Sequence, residues 1–179
     1  MVTLHVEVTF VIPKERNYYE YVMKYKRKGI HTHPIPEDNV YSVWAGASVR
    51  YVAGEYNPEP FKEFLVYFAS VKPLIERVPK RGYSPKIRVK AELLDVPPEV
   101  FVLGAGKVHR EMERLARQGN VTIKTAPSGL DITVVFETDS PDQAITFIDN
   151  AYMTFEAIAN KLMQKERLLQ RERFRWYRR

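Results

Sequence analysis

Residues 6–12, Val6-Glu7-Val8-Thr9-Phe10-Val11-Ile12, place Val6, Val8, Phe10 and Ile12 on one side of an extended chain. Eighty-one residues later, Ile87-Arg88-Val89-Lys90-Ala91-Glu92-Leu93 repeats that pattern. Period two is the mark of a strand with one buried face. The same offset carries Asn39-Val40 onto Asn120-Val121 and Pro60 onto Pro141. It also carries the apolar helical stripe Phe64, Tyr67, Val71, Leu74, Val78 onto Ile145, Ile148, Tyr152, Phe155, Ala159. Few identities survive but the polar and apolar pattern does, which implies one unit copied once. Two copies are too few for a solenoid and are expected to pack as an internal pseudo-dimer.

Each copy reads strand–helix–strand–strand–helix. In the first, Pro13 closes the opening strand, and Tyr18, Tyr21, Val22 and Tyr25 give residues 14–28 a helical face ending at Gly29. Val40 to Trp44 and Ser48 to Ala53 read as a hairpin around Ala45-Gly46-Ala47, or as one long strand. Asn57-Pro58 starts a helix running to about Val78, which Pro73 either kinks or shortens. Lys80 to Pro85 is the connector. In the second copy, Pro98 to Gln118 reads as one helix on Val100, Leu103, Val108, Met112 and Leu115, stopped by Gly119. Val121–Ala126 and Leu130–Glu137 form a hairpin around Pro127-Ser128-Gly129, and Ser140-Pro141-Asp142-Gln143 is a capping box. The expected fold is α+β. Residues 1–82 and 83–163 are two β-α-β-β-α repeats joined into a six-stranded, antiparallel-rich sheet with helices on one face. Residues 164–179 extend the last helix.

Charge is unevenly placed. From Lys161 onward there are eight bases and two acids, a net +6 that equals the formal charge of the whole chain, so residues 1–160 are neutral. A basic extension on a neutral body suits a polyanion. The chain has no cysteine, which removes disulfides, thiolate nucleophiles and cysteine-ligated zinc. With no secretory pattern and no apolar run of about 18 residues, the expected setting is the cytoplasm, away from membranes.

The strand Leu130-Asp131-Ile132-Thr133-Val134-Val135-Phe136 leads into Asp139-Ser140-Pro141, and the helix beyond carries Asn150-Ala151-Tyr152-Met153. This segment, with the element order, resembles the Pcc-type (CTAG/Pcc) family. Those proteins are small dimerising subunits of the KEOPS complex, which installs threonylcarbamoyladenosine on tRNA. That family commonly shows Asn-Ser-Tyr-Leu followed by Arg. Here Ala151, Met153 and Thr154 depart from the pattern, and Thr146 stands where a preceding Arg is usual. The resemblance implies a non-catalytic subunit that pairs through its sheets, docks a Kae-type ATPase-fold subunit with its helices, and helps to hold tRNA. It implies Asn150, Tyr152 and Phe155 as partner-binding residues.

No Gly-x-Ser-x-Gly elbow or nucleotide loop occurs, so no catalytic, cofactor or metal residue is expected. His31-Thr32-His33 lacks a ligand set and reads as surface loop; His109 reads as an exposed helical side chain. Gly104-Ala105-Gly106 falls inside a helical pattern, where small residues suit close packing. Arg88, Lys90 and Lys124 are expected on the open face of the sheet. The candidate nucleic-acid residues are Lys161, Lys165, Arg167, Arg171, Arg173, Arg175, Trp176, Arg178 and Arg179. Arg167, Arg171, Arg175 and Arg178 share a helical face, and Phe174, Trp176 and Tyr177 offer rings for stacking. Two alternatives remain open: an independent nucleic-acid-binding platform, and a protein-interaction module whose basic tail meets an acidic partner.

Overall fold

The alternation of Val6–Ile12 and Ile87–Leu93 becomes the centre of the sheet. A computed structural model describes residues 2–13, 32–34, 40–76, 86–103 and 106–177. The expected helix over 14–28, the connector at 80–85 and Arg178-Arg179 lie outside the described residues. The elements in chain order are β1 (Thr3–Pro13), β2 (Thr32–Pro34), β3 (Val40–Tyr51), α1 (Glu59–Glu76), β4 (Lys86–Val96), α2 (Glu99–Leu103), α3 (Lys107–Gln118), β5 (Asn120–Ala126), β6 (Gly129–Thr138) and α4 (Pro141–Tyr177). They make an α+β fold around an antiparallel sheet ordered β2-β3-β1-β4-β6-β5. Five strands are long, and β2 adds three residues at one edge.

β1 and β4 lie side by side, with Val6 opposite Ala91 and Val8 opposite Val89. Leu4, Val6, Val8, Phe10 and Ile12, with Ile87, Val89, Ala91 and Leu93, are at most 1% exposed and face the helices. Each of these side chains other than Ala91 contributes about 1.5–3 kcal/mol on burial.

The hairpin reading of residues 40–53 gives way to a single strand. Val8 pairs with Ala47 and Phe10 with Val43, so β3 carries two extra residues against β1 at Trp44-Ala45-Gly46. The small residues mark a bulge inside a strand, not a turn between two. The other edge comes from Thr32-His33-Pro34, expected as loop, whose backbone pairs with Val43, Ser42 and Tyr41.

α1 begins where expected: the Asn57 side-chain oxygen accepts from the Glu59 amide at 3.1 Å. Pro73 sits inside it. The buried face differs from the expected stripe. Phe61, Phe64, Leu65 and Phe68 are buried, whereas Tyr67 is 43% exposed. Phe64 and Phe68 close on Phe10 with ring centroids 4.3 and 4.4 Å away.

The single helix expected over 98–118 is two, α2 and α3. Gly106 has φ +133, a left-handed value that only glycine takes cheaply, and a Cβ built there meets nothing within 4 Å. Its use is conformational; among the described residues, close packing against another helix of the same chain does not occur at this position. The β5–β6 hairpin forms as expected, with Ala126 opposite Gly129. A Cβ on Gly129 would lie 2.7 Å from the Val96 carbonyl oxygen, so the turn requires glycine.

α4 starts at the expected cap. The Ser140 hydroxyl accepts from the Gln143 amide at 3.4 Å. The reciprocal half runs through Thr138, whose hydroxyl accepts from the Ser140 amide and lies 2.6 Å from the Gln143 carboxamide oxygen. Ala144, Phe147, Ile148, Ala151, Tyr152, Phe155 and Ile158 then pack inward.

Candidate nucleic-acid interface

Three environments succeed one another along α4. Its first half is core. Phe155 has no exposed area, and Tyr152 is 6% exposed, stacked on Tyr56 at 4.4 Å with its hydroxyl accepting from the Gly54 amide at 3.0 Å. Asn150 donates to Gln118 at 3.1 Å and ties α4 to the end of α3. Thr154, buried, places its hydroxyl 2.9 Å from the Asn150 carbonyl and 3.2 Å from that of Glu111. The residues assigned to partner docking are therefore engaged inside the chain. Their neighbours Met153 and Glu156 are exposed.

The middle of α4 is a boundary. Leu162 packs on the edge of the core, and Lys165 reaches Glu99 of α2 at 2.9 Å. Hydrogen bonding from that ammonium holds the Glu99 carboxyl below the usual carboxylate range. Beyond it the helix leaves the body. Every residue from Glu166 to Tyr177 is exposed, a projection of about 18 Å at ~1.5 Å per residue.

This projection carries most of the expected nucleic-acid residues. Arg167, Arg171 and Arg175 rise along one side in steps of about 6 Å, with Arg173 on the other. Phe174, Trp176 and Tyr177 are 69%, 81% and 90% exposed. Lys161 sits at the edge of the body and Lys165 is engaged by Glu99. The helix continues unbroken across residues 163 and 164, so the basic extension is the end of α4 rather than a separate segment.

The open face of the sheet offers less free charge. Arg88 donates to Glu137 from Nε and Nη2 at 2.8 and 2.5 Å, and Lys90 lies 2.7 Å from Glu92. Lys124 stands in register with Asp131. His5 shares that face, 2.6 Å from the Ser48 hydroxyl and 3.9 Å from Glu92. At its β5 end lies a shallow hollow bordered by Arg88, Asn120, Thr122 and Glu137, whose cation is already paired with its anion. His109 is exposed on α3, 3.2 Å from Glu113. Among the described residues, no three His, Cys, Asp or Glu side chains gather as a metal would require. No helix there is long and apolar enough to cross a membrane.

One polar cluster escaped the sequence reading. Tyr51 donates to the Asn57 carbonyl at 2.5 Å, and Tyr56 donates to the Asp149 carboxylate. Burial and then the nearby Asp149 carboxylate push the Tyr51 phenol up to about 12. Burial and the hydrogen bond to Asp149 raise Tyr56 further. The cluster joins the loop after β3 to α4. Tyr51 sits at a strand end and Tyr56 in the loop beyond it, and the Asp149 that partners Tyr56 lies 93 residues away, so no local pattern marks the cluster.

No family model matches this chain, and no curated relative does. Among solved structures it is similar to the ligand-free regulatory subunit of aspartate kinase from Thermus thermophilus, at 14% identity over 90% of this chain and 97% of that one, with a TM-score of 0.26. It is also similar to Clostridium acetobutylicum aspartate kinase, at 11% identity over 89% of this chain and 34% of that one, with a TM-score of 0.30. Likeness at these scores carries no activity across.

Proposed function

We propose that this chain is a non-catalytic assembly subunit that holds RNA, built from two fused copies of one β-α-β-β-α unit. The observation that carries this reading is the end of α4, a basic and aromatic helix projecting from a body with no net charge. Its arginines are spaced to meet successive phosphates and its rings are free to stack on unpaired bases. The sheet order supports the duplication, because it reads outward from β1 and β4 as matching pairs: β3 with β6, then β2 with β5. The burial pattern supports it too. Adding 83, rather than 81, to Phe61, Phe64, Leu65 and Phe68 gives Ala144, Phe147, Ile148 and Ala151, all buried. The same step carries Leu4, Val6, Val8 and Phe10 onto Ile87, Val89, Ala91 and Leu93.

In the setting that the Pcc-type resemblance implies, the ligand is tRNA and the protein partner a Kae-type ATPase-fold subunit. No cofactor is needed. The independent-platform reading would put nucleic acid on the open sheet face, where Arg88 and Lys90 already meet Glu137 and Glu92. A gel shift with tRNA and with duplex DNA tests the proposal. Replacing Arg167, Arg171 and Arg175 by Ala is expected to lower the slope of log affinity against log salt by about 2–3, at roughly 0.7–0.9 per phosphate contact. An unchanged slope would reject the helix end as the RNA site. Failure to co-purify with an ATPase-fold subunit that retains a known Pcc-type protein would reject the assembly role.

A further inference from the structure

The side of the projecting helix away from Arg167 and Arg171 has its own pattern. At about 100° per residue, Lys161, Lys165, Leu168, Leu169, Glu172 and Trp176 fall on one side. It continues the line of Ile158 and Leu162, which pack on the core. Leu168 and Leu169 are 60% and 50% exposed and Trp176 is 81% exposed. A leucine pair flanked by a lysine on one side and a glutamate on the other is complementary to its own reverse.

We propose that this face pairs with the same face of a second copy, antiparallel about Leu168-Leu169. Setting Lys165 against Glu172 of the partner subunit sets Leu168 against the partner's Leu169 and Lys161 against the partner's Trp176. The twofold axis repeats each contact. The centre is then four leucines, bounded at both ends by a lysine–glutamate pair and a cation over an indole. Charge complementarity selects this register, and the antiparallel sense follows from it. A parallel pair in register would face Lys165 with lysine and Glu172 with glutamate. Lys165 contacts Glu99 yet remains 38% exposed, and an ammonium has three donors to share. Arg167 and Arg171 stay outside the pair, Arg175 borders it beside Leu168, and Lys161, Lys165 and Trp176 fall within it; the pairing needs no RNA, but it covers part of the surface proposed above for nucleic acid.

The test is sedimentation of the nuclease-treated full chain from low micromolar to a few hundred micromolar. A monomer–dimer equilibrium is expected. Lys165→Glu and Glu172→Lys should each weaken it about tenfold or more, because each places like charges opposite twice. Mixing the two variants should restore dimers, since every lysine then faces a glutamate again. The chain has no cysteine, so a Leu169→Cys variant should form a disulfide dimer under mild oxidation and an Arg167→Cys variant should not. A monomer throughout, a dimer indifferent to both charge reversals, no rescue on mixing, or equal cross-linking at both positions would overturn the proposal. So would association that appears only when RNA is added back.

Discussion

Truncating Phe155 to Ala separates two roles for the helix that carries it. The ring has no exposed area and meets Tyr152 edge-on at 5.9 Å. Removing a fully buried phenylalanine costs about 3–5 kcal/mol, from lost transfer energy and the cavity left behind. Unfolding entropy near 60 °C is about 2.1 cal/mol/K per residue, or roughly 0.4 kcal/mol/K for a chain of this length. The melting temperature should therefore fall by about 10 °C. Met153, two residues earlier and 43% exposed, provides the control. Its change to Ala should cost about 0.5 kcal/mol or less, as surface substitutions usually do, shifting the midpoint by a degree or two. The assay is thermal unfolding of the isolated chain followed by circular dichroism, with reversibility checked by rescanning. If Phe155→Ala melts within about 3 °C of the parent while losing a protein partner, the core assignment of this ring is wrong.

Two other outcomes follow from the contacts above. The phenols of Tyr51 and Tyr56 are held above the ordinary tyrosine value of about 10. The unfolded chain therefore releases these protons first, and stability that is complete below about pH 10 drains away as pH rises toward the folded values. Melting temperature against pH should fall less steeply above pH 10 in Tyr56→Phe than in the parent, and equal slopes would remove the cluster from the account. Ser140→Ala deletes the acceptor for the Gln143 amide and should cost about 1 kcal/mol. Ser140→Asp should recover most of that loss, and a Ser140→Ala midpoint unchanged in thermal melts would show the cap to be idle.

Local signals were legible in the sequence because their causes are local. The alternation of Val6–Ile12 and Ile87–Leu93, the caps at Asn57 and Ser140, and the turn at Pro127-Ser128-Gly129 each depend on side chains within a few residues. The basic character of the last helix was legible for the same reason. Where a choice depended on what lay opposite, the sequence left it open. Ala45-Gly46-Ala47 suits a turn or a bulge equally, and pairing with β1 on both sides of it selects the bulge. Gly104-Ala105-Gly106 fits a helical period, yet the backbone at Gly106 departs from it.

The candidate site divides in the same way. Composition alone placed a net +6 on the last 19 residues. An apolar stripe with a period near 3.5 is compatible with burial along its whole length, and nothing in its spacing says where the body of the protein stops. Among the described residues α4 packs against β1, β4, β6, α2 and α3; that cover reaches Leu162 and Lys165, and every residue from Glu166 to Tyr177 is exposed. The sequence by itself determined the strands β1, β4, β5 and β6, the caps and the charge of the helix. Only the tertiary structure decided that Tyr152 and Phe155 lie inside while Leu168, Leu169 and Trp176 lie outside, because burial belongs to the neighbours that folding supplies rather than to the residue.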